Sequence, residues 1–303
     1  MLYWIQLLIF LSFLLFESPT LAYEVDNFTD RDQIKTDSLP KLNEVTNKIL
    51  TDATRGVRRE RGKECNVAFL RQEILRWIRP DPTGQLEIWL EVTDKIDRTH
   101  VGLSKSIYQD VTFNDCPVLK TVGIARSILL DGQIVGTDKI GHFFMQGLSY
   151  YDLVKEGKPL EKVLVEDHHE DGVWGLETSG VKSYADMAAN YQGYRFWSQL
   201  TAGPNPYIRC DEKQGWVNNK TFTWADYVNP AWDEALNCSE MRPVIQAKVE
   251  RYLKNKGWQC PIQPEACLKI IGLDHAQYFT SPKCELTAKK LLNDETNRNS
   301  VLF

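Results

Sequence analysis

The segment "TDKIGHFFMQGLSYYDLVKEG", residues 137–157, keeps apolar side chains at helical spacing along its length and stops at a glycine. That period predicts a long α-helix ending at Gly157. The same signal recurs on both sides of it. "SLPKLNEVTNKILTDATRGV" has Ser38 as a cap and Pro40 in its first turn, and "CNVAFLRQEILRWIRP" runs until Pro80. "TGQLEIWLEVTDKIDRTHVG" reads as a helix to about Gly102, and "LKTVGIARSILLDG" as another. "PLEKVLVEDHHE" starts at Pro159, where proline suits a first helical position. "SYADMAANYQGYRFWSQL" opens with Ser183 and Asp186 at capping-box spacing, with Asp in place of the usual Glu. Beyond residue 205, "TWADYVNPAWDEAL", "MRPVIQAKVERYLKNKG" and "KCELTAKKLLN" also look helical. The expected β signal is "GVWGLETSGVKS", whose glycines and valines predict a short hairpin. The expected fold class is therefore mainly α with one small β-hairpin, divided into residues 23–205 and a cysteine-rich helical region over 206–303.

The chain opens "MLYWIQLLIFLSFLLFESPTLA". Leu7 to Phe16 is apolar apart from Ser12, and Thr20, Leu21 and Ala22 supply a cleavage pattern, so a signal peptide over 1–22 is expected. The usual positive n-region is missing, which keeps an anchor open, but the apolar run is short for a bilayer span and favours cleavage. An exported, soluble mature protein follows. Its formal charge is −5, from 36 basic and 41 acidic residues. The basic run "RRERGK" at 58–63 reads as a solvated helix end, so no nucleic-acid partner is expected. Of seven cysteines, five lie after residue 205, and the odd count leaves at least one unpaired. Export permits disulfides. Nothing in the spacing fixes their pairing; Cys260 with Cys267 is the expectation from proximity, and no CxxC points to a zinc ribbon.

Titratable chemistry concentrates in "VLVEDHHEDGVWGLETSGVKS", residues 163–183. Glu166 ends a helix, and Glu177 follows the first strand of the expected hairpin. Two carboxyl groups facing each other across a glycosidic bond are what sugar hydrolysis needs, one of them kept protonated by an apolar wall such as Val163, Val165, Val173 and Trp174. A helix-ending glutamate followed by a hairpin resembles the lysozyme superfamily. With two glutamates eleven apart across "EDHHEDGVWGLE", the chain is similar to the deacetylation-specific lysozymes of periplasmic predatory bacteria. That resemblance implies a lysozyme-like fold over 23–205 and cleavage of N-deacetylated peptidoglycan. It implies Glu166 as general acid and Glu177 as nucleophile, base or charge stabiliser. Asp167, Glu170 and Asp171 would then attract the glucosamine ammonium, with Asp171 as its direct partner. Trp174 and Tyr184 are the expected sugar-stacking side chains. No cofactor is expected, the partner is the glycan strand, and the chain is expected to be a monomer away from the membrane.

A second pattern spans 138–193: "DKIGH", then Glu177, then "SYADMAANYQG". Its order resembles VanZ-like and YfiM-like envelope proteins. Asp138 and His142 are four apart and share a helix face, as do Asp186 and Asn190. These four, with His169, are expected to support the site by hydrogen bonding, holding the hairpin and its glutamate in place. His142 with His168 or His169 and a carboxylate also makes a plausible metal ligand set, but adjacent histidines point about 100° apart on a helix. No HExxH spacing supports that reading, so no metal is expected. Gly172, Gly175 and Gly180 read as turn residues, not a phosphate loop. A wall-cutting glycosidase thus leads. A metal-dependent envelope hydrolase on Asp138, His142 and His169 is the alternative, followed by a non-catalytic wall-binding protein.

Overall fold

The computed structural model describes residues 24–78, 85–99, 101–166 and 175–300. Residues 1–23, where the signal peptide is expected, and His168, His169, Asp167, Glu170, Asp171 and Trp174 lie outside the described residues. In chain order the first half carries β1 (Glu24–Val25), α1 (Leu39–Arg61), α2 (Val67–Ile78), α3 (Gln85–Val92), α4 (Pro117–Val122), β2 (Ile124–Ala125), β3 (Ser127–Leu130) and β4 (Gln133–Gly136). The second half carries α5 (Asp138–Lys155), α6 (Leu160–Val165), β5 (Val181–Lys182), α7 (Tyr184–Gln199), β6 (Ile208–Asp211) and β7 (Gly215–Asn218). It ends with β8 (Glu240–Met241), α8 (Pro243–Asn255), α9 (Ala266–Ile271) and α10 (Pro282–Ser300). The mainly helical class holds.

The expected helix through "LKTVGIARSILLDG" is wrong. α4 stops at Gly123, which takes φ 91°, and the Ser-Ile-Leu-Leu run becomes β3. Asp131 and Gly132 sit at φ 50° and 75° between β3 and β4, the paired positive values of the tight hairpin turn that Asp-Gly favours. β1 pairs parallel with β2, and β6 pairs with β7 as a second hairpin. The hairpin expected near Glu177 is corrected as well: residues 175–180 form turns, and β5 pairs antiparallel with the distant β8. α3 ends at Val92, ten residues before Gly102. "TWADYVNPAWDEAL" is two 3-10 turns, Trp224–Asp226 and Pro230–Trp232, because Thr223 and Asn229 cap each start and proline interrupts any longer helix.

α5 and α7 cross at their glycines. A Cβ on Gly147 would lie 2.5 Å from Gly193 Cα, and one on Gly193 would collide with the Phe143 carbonyl oxygen. Without side chains there the two backbones touch, and everything else on the facing surfaces is fixed by that contact. Phe143, Phe144, Phe196, Phe222, Trp224 and Tyr227 pack around the crossing, with Phe143 and Trp224 ring centroids 4.8 Å apart. The same core runs from Leu42 on α1 to Ala288 on α10, so side chains on both sides of residue 205 enter it.

Three disulfides form: Cys65–Cys210, Cys238–Cys260 and Cys267–Cys284, with Cys116 free and buried. The expected Cys260–Cys267 pair is not made; Cys260 pairs back to Cys238 and Cys267 forward to Cys284. Disulfides suit an oxidising, exported setting. Among the described residues no helix is long and apolar enough to cross a membrane.

Candidate active site

α5 starts where the β3–β4 hairpin ends, and this places Asp138 and Lys139 at the buried end of the helix. α7 starts at Ser183, whose Oγ accepts from the Asp186 backbone N–H at 3.2 Å. That is the expected cap, but the Asp186 carboxylate does not complete the box. It turns instead toward α5, because the glycine crossing brings Asp186 and Asn190 against Asp138 and His142. The periodic pairs read from the sequence do meet.

At the centre is a side chain the sequence reading passed over. Lys139 is 0% exposed. Its Nζ lies 2.8 Å from Asp138 Oδ2, 2.6 Å from Asp186 Oδ1 and 2.6 Å from Glu234 Oε1. An ammonium has three donors, so three carboxylates match it in number. The Asp186 contact is an ion pair outside hydrogen-bonding geometry, which leaves that oxygen with acceptor capacity. Glu234, also missed, accepts at Oε1 from Ser183 Oγ at 2.8 Å and at Oε2 from Ser239 Oγ at 3.2 Å. It comes from the stretch misread as a helix.

His142 extends the cluster. Its Nδ1 is 3.0 Å from Asn190 Oδ1, and its Nε2 is 3.2 Å from Asp186 Oδ2. Ligand atoms of Asp138, His142 and Asp186 all lie within 4.8 Å of one another. Tyr184, expected to stack on sugar, instead donates its hydroxyl to Glu240 at 2.6 Å.

The charges here do not balance in the ionised state. Burial, which strips water from the carboxylate, pushes Asp138 up to about 8; Lys139 opposes this, while Asp186 and Glu234 reinforce it. Burial disfavours the Lys139 ammonium, but the surrounding carboxylates outweigh it and raise its pKa well above the ordinary value. Two further acids back the cluster. Glu87, whose Oε2 would be 2.6 Å from a Cβ on Gly141, is raised by burial and then by Asp138. Glu24 is raised by burial and then by Glu234, against a hydrogen bond from Ser179. Five buried acids thus surround one lysine.

A cavity of about 410 Å³ opens beside this centre, and Glu234 and Ser239 line it. Glu234 therefore joins the charged centre to space a ligand can reach. A cleft next to strongly perturbed titratable groups is the usual physical signature of a reactive site.

The two glutamates expected to cut sugar are placed differently. Glu166 is half-buried at the end of α6, with Lys158 Nζ at 2.7 Å and Lys162 Nζ at 3.7 Å. Of the valines expected to wall it, Val163 is buried and Val165 is exposed. Glu177 is exposed on the turn at 175–180. No protein-family profile, curated protein or solved structure matches this chain.

Proposed function

We propose that the protein is an exported, metal-dependent hydrolase of the cell envelope, with Asp138, His142 and Asp186 as ligands. The carrying observation is the setting of the His142 ring. With Nδ1 donating to Asn190 Oδ1, the Nε2 lone pair points at a carboxylate oxygen 3.2 Å away. Two acceptors facing each other need a cation between them or an extra proton on the ring. Histidines that bind metals are held through the other ring nitrogen in this way. One imidazole and two carboxylates fit a zinc-class ion. Such an ion supplies a polarised carbonyl or an acidified water.

The chain's own groups do the rest. Asn190 fixes the imidazole tautomer. Lys139 neutralises the outer oxygens of Asp138 and Asp186 and orients Glu234. Glu234, on the cavity wall, is the group positioned to take a proton from an attacking water. Peptidoglycan is the first substrate to try, on the resemblance to envelope proteins. Glu166 and Glu177 would then be surface acids; the glycosidase reading keeps them as the reactive pair.

The test combines elemental analysis of the purified protein with digestion of sacculi, the products read by mass spectrometry. About one divalent ion per chain, and activity lost to a chelator and restored by zinc, are expected. Glu234→Gln should lower turnover by about 10²–10⁴, the usual loss for a positioned base. Digestion by metal-free protein that Glu166→Gln abolishes would replace this reading with the glycosidase.

A further inference from the structure

The cavity beside Glu234 has a directional charge pattern of its own. Its wall is apolar, formed by Val25, Phe28, Ile107, Met241, Val249 and Leu253, with the Trp258 ring added near the mouth. At the base is the buried carboxylate of Glu234, whose Oε2 accepts one long 3.2 Å bond from Ser239 among the described residues and so retains acceptor capacity. Behind Glu234 the Asp186 carboxylate shares the single ammonium of Lys139, so two carboxylates face one cation. The other cavity-lining charges have the opposite balance. Lys254 and Lys283 line it, and Glu250, 2.9 Å from Lys283, offsets one of them.

The field therefore runs from a positive side to a negative base through an apolar tube. A cation reaching the base meets an excess of carboxylates in a medium where charge interactions are weakly screened. A carboxylate meets repulsion there, and a neutral head gains a hydrogen bond only. Aromatic rings beside an acid add favourable cation–π contact. We infer that this cavity binds an organic primary amine, its ammonium on Glu234 and its apolar body against Phe28, Met241, Val249 and Leu253. At about 410 Å³ it is within the size range of sites for small organic ligands.

The inference is independent of the metal, and its test uses the full-length mature protein after treatment with a chelator. Octylamine, octanol and octanoate are titrated calorimetrically at neutral pH, below micelle-forming concentrations. Octylamine should bind at least about tenfold tighter than octanoate, with octanol between them, a gap equivalent to about 1.4 kcal/mol. Met241→Trp, which fills the cavity without touching the Lys139 cluster, should abolish binding of all three. Glu234→Gln should remove the preference for the amine while octanol still binds. Octanoate binding as tightly as octylamine, no octylamine binding at all, or octylamine binding unchanged in Met241→Trp would each overturn the inference. Because the protein carries no metal in this titration, those outcomes leave the hydrolase reading untouched, and a failed digestion leaves the amine site untouched.

Discussion

Lys139 and Asp138 are neighbours in sequence and partners in space, and together they set how the molecule responds to pH. Asp138 holds its proton more tightly when folded than when unfolded. The stability that proton confers is fully present below the ordinary carboxylate value and is lost as pH rises toward about 8. Glu24 and Glu87, both raised by burial, act with the same sign. Asp115 and Asp211, lowered by hydrogen bonds from Lys248 and from backbone amides respectively, act oppositely but only in acid. The melting temperature of metal-free protein should therefore fall between pH 5 and pH 8.5, and Asp138→Asn should flatten that slope; equal slopes in both proteins would remove Asp138 as the cause. Lys139→Met keeps the volume but strands its carboxylates, and removing one partner of a buried ion pair typically costs about 3–5 kcal/mol. Urea denaturation at pH 7 measures that loss. Asp138, His142, Asp186 and Asn190 were legible because i, i+4 spacing puts each pair on one helix face. Lys139 was not, since a lysine beside an aspartate at a helix start reads as solvated charge. Glu234 has no local period connecting it to α5 or α7.

At the scale of elements, the site is aimed by a contact between two glycines. Gly193 lies seven residues after Asp186 and three after Asn190, so all three share the face of α7 that meets α5. Gly193→Ala forces the backbones apart, since its Cβ has no space beside the Phe143 carbonyl. Overpacking of a tight core typically costs about 1–3 kcal/mol. The same variant should weaken zinc binding measured by calorimetry, because the crossing sets the His142–Asp186 approach. A stability loss with zinc affinity unchanged would separate packing from the site. The two helices were legible from periodicity, but their crossing was not, because glycine inside a helix pattern announces only a lower propensity. The β3–β4 hairpin was missed for a different reason. Ser127–Leu130 is a short apolar run, which periodicity cannot assign, and the Asp131–Gly132 turn that decides it was read as a helix end.

For the whole molecule, the cross-links decide what survives denaturation. Three bridges and one buried thiol mean that denatured, non-reduced protein should take up one alkyl group, on Cys116, and reduced protein seven. Any other first number would contradict the pairing. Cys65–Cys210 closes a span of 145 residues and ties the end of α1 to the β6–β7 hairpin. Its loss, through Cys65→Ser with Cys210→Ser, should cost about 2–4 kcal/mol by thermal unfolding. The cysteine count foretold an unpaired thiol and bridges near the C-terminus. It carried no information on partners, because pairing depends on which loops the helices bring together.

Glu234 reaches Lys139 across 95 residues of chain. The charged centre therefore has a birthday late in synthesis. A chain broken off before residue 234 has the two aspartates, the histidine and the lysine, but not the carboxylate that faces the cavity. Such a fragment holds an unfinished charge cluster and lacks the buried acid of the cavity lining. Completion of that centre therefore reports that the chain has been made at least as far as Glu234 and has closed back onto α5.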